Sequence, residues 1–84
     1  MNPQKLLAKA LRSPDGLRFA EACALAKAFG FAQARISGSH HIFINTTVQE
    51  LVNLQDVGGK AKAYQVRQLL RLAEKYNLSI GGTS

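Results

Sequence analysis

The sequence has no tryptophan, one cysteine (Cys23), two prolines and two histidines in 84 residues. A single thiol excludes an intramolecular disulfide and suits a reducing compartment. No apolar run approaches the ~20 residues that cross a bilayer, so no membrane partner is expected. The opening segment MNPQKLLAKALRSPDG lacks the continuous apolar stretch and small-residue cleavage site of a signal peptide. These absences together point to the cytoplasm. Acidic residues are also scarce: five, against eleven Lys and Arg, for a formal net charge of +6. A field of that sign favours polyanions or an acidic protein partner and does not choose between them. No Cys, Asp or Glu stands near the histidines at ligand spacing, so neither a metal site nor a cofactor is expected.

What is present reads as one small folded domain spanning residues 1–84, with 46% hydrophobic and 19% charged residues. Asn2-Pro3 makes a good helix start, and Leu6, Leu7, Ala10 and Leu11 recur at helical spacing to about Arg12. Ser13-Pro14-Asp15-Gly16 is turn chemistry. Residues 1–16 thus form an extension ahead of a core at 17–78, and 79–84 read as a frayed tail. A second helix is predicted from about Leu17 to Phe29, with Phe19, Ala22, Cys23, Ala26 and Phe29 on its buried stripe and Gly30 as its cap. On that stripe Cys23 reads as a small hydrophobe.

From Phe31 the periodicity changes. FAQARIS reads as a strand with Gln33 and Arg35 on one face, HHIFIN as a second, and Gly38-Ser39 as the tight connection between them. QELVNLQD reads as a third strand, with Val52 and Leu54 sharing a face. KAKAYQVRQLLRLAEKYNL then carries Val66, Leu69, Leu70 and Ala73 at helical spacing. Arg67, Arg71 and Lys75 line another face, Lys60 and Lys62 stand at the helix start, and Asn77 suits a left-handed cap. The expected order is α-α-β-β-β-α. That is an α+β two-layer fold, a three-stranded antiparallel sheet covered by helices on one face.

The segment RISGSHHIFI, Arg35 to Ile44, holds both histidines. Adjacent strand residues point to opposite faces, so His40 and His41 cannot chelate one ion together. If Ile42 and Ile44 face the core, His40 lies at the core-side margin, partly buried and held by a helix. A phosphate at this corner would meet an imidazole, the Ser39 hydroxyl and Arg35 across the hairpin, while Gly38 permits close approach. Equally, Gly-Ser is an ordinary turn and histidine an ordinary strand-end residue, and the tetrapeptide alone leaves both readings open. Phe43 reads as packing in preference to base stacking. The Gly-Gly-Lys at 58–60 lacks phosphate-loop spacing.

The combination is more specific than its pieces. AFGFAQARISGSHHIF followed by LVNLQDVGGKAKAYQVRQLLRLAEKYNL resembles the HicA-type toxins of bacterial toxin–antitoxin systems, particularly longer members with an extra N-terminal helix. The resemblance runs from Leu17 to Leu78. It implies a fold like the double-stranded-RNA-binding domain, cleavage of mRNA as the activity, and a cognate HicB-type antitoxin as partner. The family's functional histidine directly follows Gly-Ser, which maps onto His40; no catalytic role carries to His41. RNA brings its own nucleophile, the 2′-OH, and a histidine beside it is suited to act as general base. Arg35, Lys60 and Lys62 would stabilise charge on the phosphate, with Gly38 and Ser39 completing the expected RNA contacts. Two alternatives stand beside this reading: a non-catalytic RNA-binding module on the same fold, and a domain whose basic face meets an acidic protein.

Overall fold

A computed structural model describes residues 2–80. Three α-helices and a four-stranded antiparallel sheet occur among them, in the order α1 (Pro3–Arg12), α2 (Phe19–Ala28), β1 (Ala32–Ser37), β2 (His40–Asn45), β3 (Val48–Val57), β4 (Lys60–Ala61) and α3 (Ala63–Lys75). Asn2 caps α1 through its Oδ1, which accepts from the Lys5 N–H at 2.9 Å. Ser13–Gly16 is the predicted bend, wound as a single 3-10 turn over Pro14–Gly16.

Helices α2 and α3 end in the same way. Gly30 takes φ +92° and Asn77 φ +54°. In each case the next residue turns back to the helix: Phe31 N donates to Ala26 O at 3.0 Å, and Leu78 N to Ala73 O at 2.8 Å. These left-handed stops satisfy carbonyls that would otherwise be orphaned. The first of them aims the chain into β1.

The sheet order is β1-β2-β3-β4. The fourth strand is absent from the sequence expectation, which places Lys60 at the start of the last helix. Instead Gly58 and Gly59, both at positive φ, make a two-residue hairpin that pairs Val57 with Lys60 and Asp56 with Ala61. Two successive positive φ angles fit a type I′ turn, which glycine adopts without steric cost. Lys60 therefore lies in a strand, and only Lys62 keeps a helix position, as the residue preceding α3. Backbone bonds from Phe19 N to Gly59 O (2.9 Å) and from Ala61 N to Leu17 O (3.2 Å) tie β4 to the start of α2.

One face of the sheet is covered. Phe43, Val52 and Leu54 are fully buried in a cluster with Leu17, Ala22, Leu25, Ala26, Val66 and Leu69. On the other face Ile44, Leu51 and Val57 remain 42%, 52% and 49% exposed. The arrangement is thus two layers, helices on one side and an open sheet surface on the other. The extension does not stand apart: Leu6 and Ala10 of α1 are buried in the same cluster. Lys9 Nζ pairs with the Glu21 carboxylate of α2 at 2.8 Å, which holds that carboxyl below its ordinary range. Of the tail expected over 79–84, Ile80 packs against the core, and residues 81–84 lie outside the described part.

Cys23 is half-buried among these helices, and burial raises its thiol pKa, which suits a packing role. No helix among the described residues is long and apolar enough to cross a membrane.

Candidate functional site

The hairpin Gly38-Ser39 joins β1 to β2 with Ser37 opposite His40. Gly38 takes φ +60° while Ser39 does not share the positive φ, the pattern of a type II′ turn with glycine first. A Cβ on Gly38 would meet nothing within 4 Å. Glycine is required here by the backbone angle, and the space above it is open. Ser39 O accepts from Asp56 N at 3.0 Å, which fastens the turn to β3.

The two histidines occupy opposite faces, and their assignment reverses the expectation. Phe43 is fully buried, opposite Val52, while Ile44 is exposed. The covered face therefore holds His41 and Phe43, and the open face holds His40, Ile42 and Ile44. The reason lies in β3: Val52 and Leu54 point inward, and the register sets them opposite Phe43 and His41. His41 packs edge-on against Phe19 of α2, ring centroids 4.6 Å apart, and its Nδ1 bonds Gln33 Oε1 at 3.1 Å. His40 is half-buried on the uncovered face, where no helix holds it. Its Nδ1 lies 3.2 Å from Asn53 Oδ1.

Arg35 reaches the open face through an irregularity. Gln33 pairs with Phe43, but Arg35 pairs with Ile42, so Ala34 is an extra residue in β1. Such a bulge flips the parity of the strand residues beyond it. Gln33 and Arg35, expected on one face, stand on opposite faces. Arg35 shares the side of His40, two pairs further along the hairpin, and Ser37 is directly across from the imidazole.

The remaining expected residues are distributed across the sheet. His40 pairs with Gln55 on β3, and extending the β3–β4 register by one step brings Lys62 into that same row. Two strand spacings, about 10 Å of backbone, separate it from His40. The Lys62 ammonium rests 5.9 Å from the Tyr64 ring centroid. Lys60, opposite Val57, shares the parity of the open face. Both acids of the sheet, Glu50 and Asp56, have the inward parity of Val52 and Leu54. Each is engaged, Glu50 with Lys75 and Asp56 Oδ1 with Gly59 N. Among the described residues, the open face thus carries cations, one imidazole and amides, with no carboxylate on its strands.

Asn53, Gln55 and Gln65 are site residues that the sequence motifs do not flag. Gln65 is a buried polar side chain whose Oε1 accepts from Gln55 N at 2.7 Å. It replaces the ladder bond lost where the chain leaves β4 for α3. The alternation of Val52 and Leu54 already implies that Leu51, Asn53 and Gln55 face outward beside His40.

No family model, curated protein or solved structure matches this chain. Two grooves of the surface lie away from the histidines. One, of about 430 Å³, is lined by Glu50, Leu72 and Lys75 among others. The other, of about 370 Å³, runs between Leu7 and Leu11 of α1 and Leu70 of α3. Neither is lined by His40.

Proposed function

We propose that this chain is a HicA-like ribonuclease toxin, an mRNA interferase whose essential group is His40, with the α+β layers arranged as in a double-stranded-RNA-binding domain. The observation that carries the reading is the juxtaposition of one accessible imidazole, a Gly-Ser turn open to solvent and a carboxylate-free face with Arg35 and Lys60. That surface suits a polyanion, and the sequence resemblance supplies the reaction.

His40 takes the proton from a ribose 2′-OH, and the oxygen attacks the adjacent phosphorus. The bond to the 5′-oxygen breaks, leaving a 2′,3′-cyclic phosphate on one fragment and a 5′-OH on the other once that oxygen is protonated. General-base assistance of this kind contributes typically 10²- to 10⁴-fold. Arg35, Lys60 and Lys62 would offset charge on the phosphate oxygens, with Ser39 and the Gly38 backbone beside them. Only one histidine occupies this face, so the leaving oxygen takes its proton from water, a lysine or the same imidazole. A slow enzyme results. Growth arrest then depends on its substrate being mRNA in the cytoplasm, and survival on a HicB-type antitoxin that neutralises it.

The test is production of wild type and His40→Ala in bacterial cells, with subsequent mapping of RNA ends. Wild type arrests growth and generates cyclic-phosphate ends, and His40→Ala does neither. RNA bound but left uncut by purified wild type would favour the non-catalytic binding module instead.

A further inference from the structure

We propose that Asn53 is a positioning residue that fixes the tautomer of His40. Asn53 stands opposite Ile42, diagonal to His40 on the open face of the β2–β3 pair. Diagonal neighbours on one face are within reach of each other's side chains. The contact joins His40 Nδ1 to Asn53 Oδ1 at 3.2 Å. With its Oδ1 turned to the ring the amide can only accept, so in this arrangement Nδ1 carries the proton. In the neutral ring the lone pair then belongs to Nε2, the distal nitrogen. A general base needs that arrangement, because the nitrogen turned to the substrate has to be unprotonated. The orienting partner of a catalytic imidazole acts in this way: with the wrong tautomer the base is present but cannot accept.

The companion histidine makes the same kind of bond, from Nδ1 to Gln33 Oε1 on the covered face. There the ring packs on Phe19, so the hydrogen bond belongs to a packed contact. Among the described residues His40 has no such aromatic partner. Asn53 is the side chain that holds its Nδ1. Asn53 and His40 are both only half-buried, so replacing Asn53 leaves the fold in place.

The catalytic consequence rests on the ribonuclease reading, whereas the tautomer assignment does not. Long-range ¹H–¹⁵N correlation spectra of the neutral ring test the latter directly, on wild type, Asn53→Ala and Asn53→Asp. The expected result is a protonated Nδ1 and bare Nε2 on His40 in wild type and in Asn53→Asp, which keeps an acceptor oxygen. Asn53→Ala should move the proton to Nε2. In RNA cleavage, Asn53→Ala should lower kcat with KM unchanged, whereas Asn53→Asp, which keeps the tautomer but sets a carboxylate on the RNA-facing surface, should raise KM. A bare Nδ1 in wild type, or one tautomer common to wild type and Asn53→Ala, overturns the assignment even if RNA is cut. A tautomer switch in a protein that cuts no RNA supports the assignment and removes the ribonuclease reading.

Discussion

The rings of Phe19 and His41 meet edge-on, centroids 4.6 Å apart at an interplanar angle of 60°. This contact ties the β1–β2 hairpin to α2, and by strand alternation it turns His40 to the other side of the sheet. One histidine is engaged in packing and its neighbour is left on the open surface. Replacing His41 with alanine should destabilise the protein by about 1 kcal/mol. For a domain of this size that is a fall of about 4–8 °C in Tm, readable by circular dichroism. RNA cleavage below the transition should persist.

Leu6 tests whether the N-terminal extension belongs to the core. Its side chain is buried with Ala10 against α2, so Leu6→Ala should cost about 2–5 kcal/mol, as other buried truncations do. Urea denaturation would measure it. A change below a few tenths of a kcal/mol would mean that α1 is only peripherally attached.

Gln65 satisfies a backbone donor in the row of His40. Gln65→Leu fills similar space but leaves Gln55 N–H without its acceptor, which should cost about 1–3 kcal/mol. Hydrogen exchange should show faster exchange at Gln55 than elsewhere in β3.

Glu50 makes the acid limb of stability predictable. Its carboxylate accepts from Lys75 Nζ at 2.7 Å and from Tyr76 Oη at 2.5 Å, and these bonds lower its pKa from the ordinary 4.5 to about 2. A carboxyl lowered in the folded state contributes stability that is full above its unfolded value and is lost on acidification. The contribution should therefore decline between about pH 4.5 and 2. Lys75 is correspondingly held above its ordinary 10.5, so its side of the same pair is full below 10.5 and is lost as pH rises through that raised value. Thermal unfolding across this acid range should show the decline in wild type and a flatter profile in Glu50→Gln.

Much of this architecture is legible in the sequence, for reasons that also explain what is not. The helices announce themselves through Asn2-Pro3, Gly30 and Asn77, because caps and left-handed stops demand particular residue types. The hairpin at Gly38-Ser39 does so for the same reason. The facing of β2 does not, since HHIFIN places apolar residues at both parities. Only pairing with Val52 and Leu54, ten or so residues away, makes Phe43 the inward one. The bulge at Ala34 leaves no compositional trace, as any residue fits an extra strand position, yet it moves Arg35 to the face of His40. The two-residue strand at Lys60–Ala61 is too short for any periodicity. Its signal is the glycine pair at 58–59, which reads as a break as readily as a hairpin.

The role of His40 is tested most simply by comparing wild type, His40→Ala and His41→Ala on one mixed-sequence RNA in the presence of EDTA, all three verified as folded. Fragments with 2′,3′-cyclic phosphate ends are expected from wild type and His41→Ala, with a loss of about 10²- to 10⁴-fold in His40→Ala. Cleavage by His40→Ala at the wild-type rate, or its abolition in folded His41→Ala alone, would contradict the assignment of the open-face imidazole as the catalytic group.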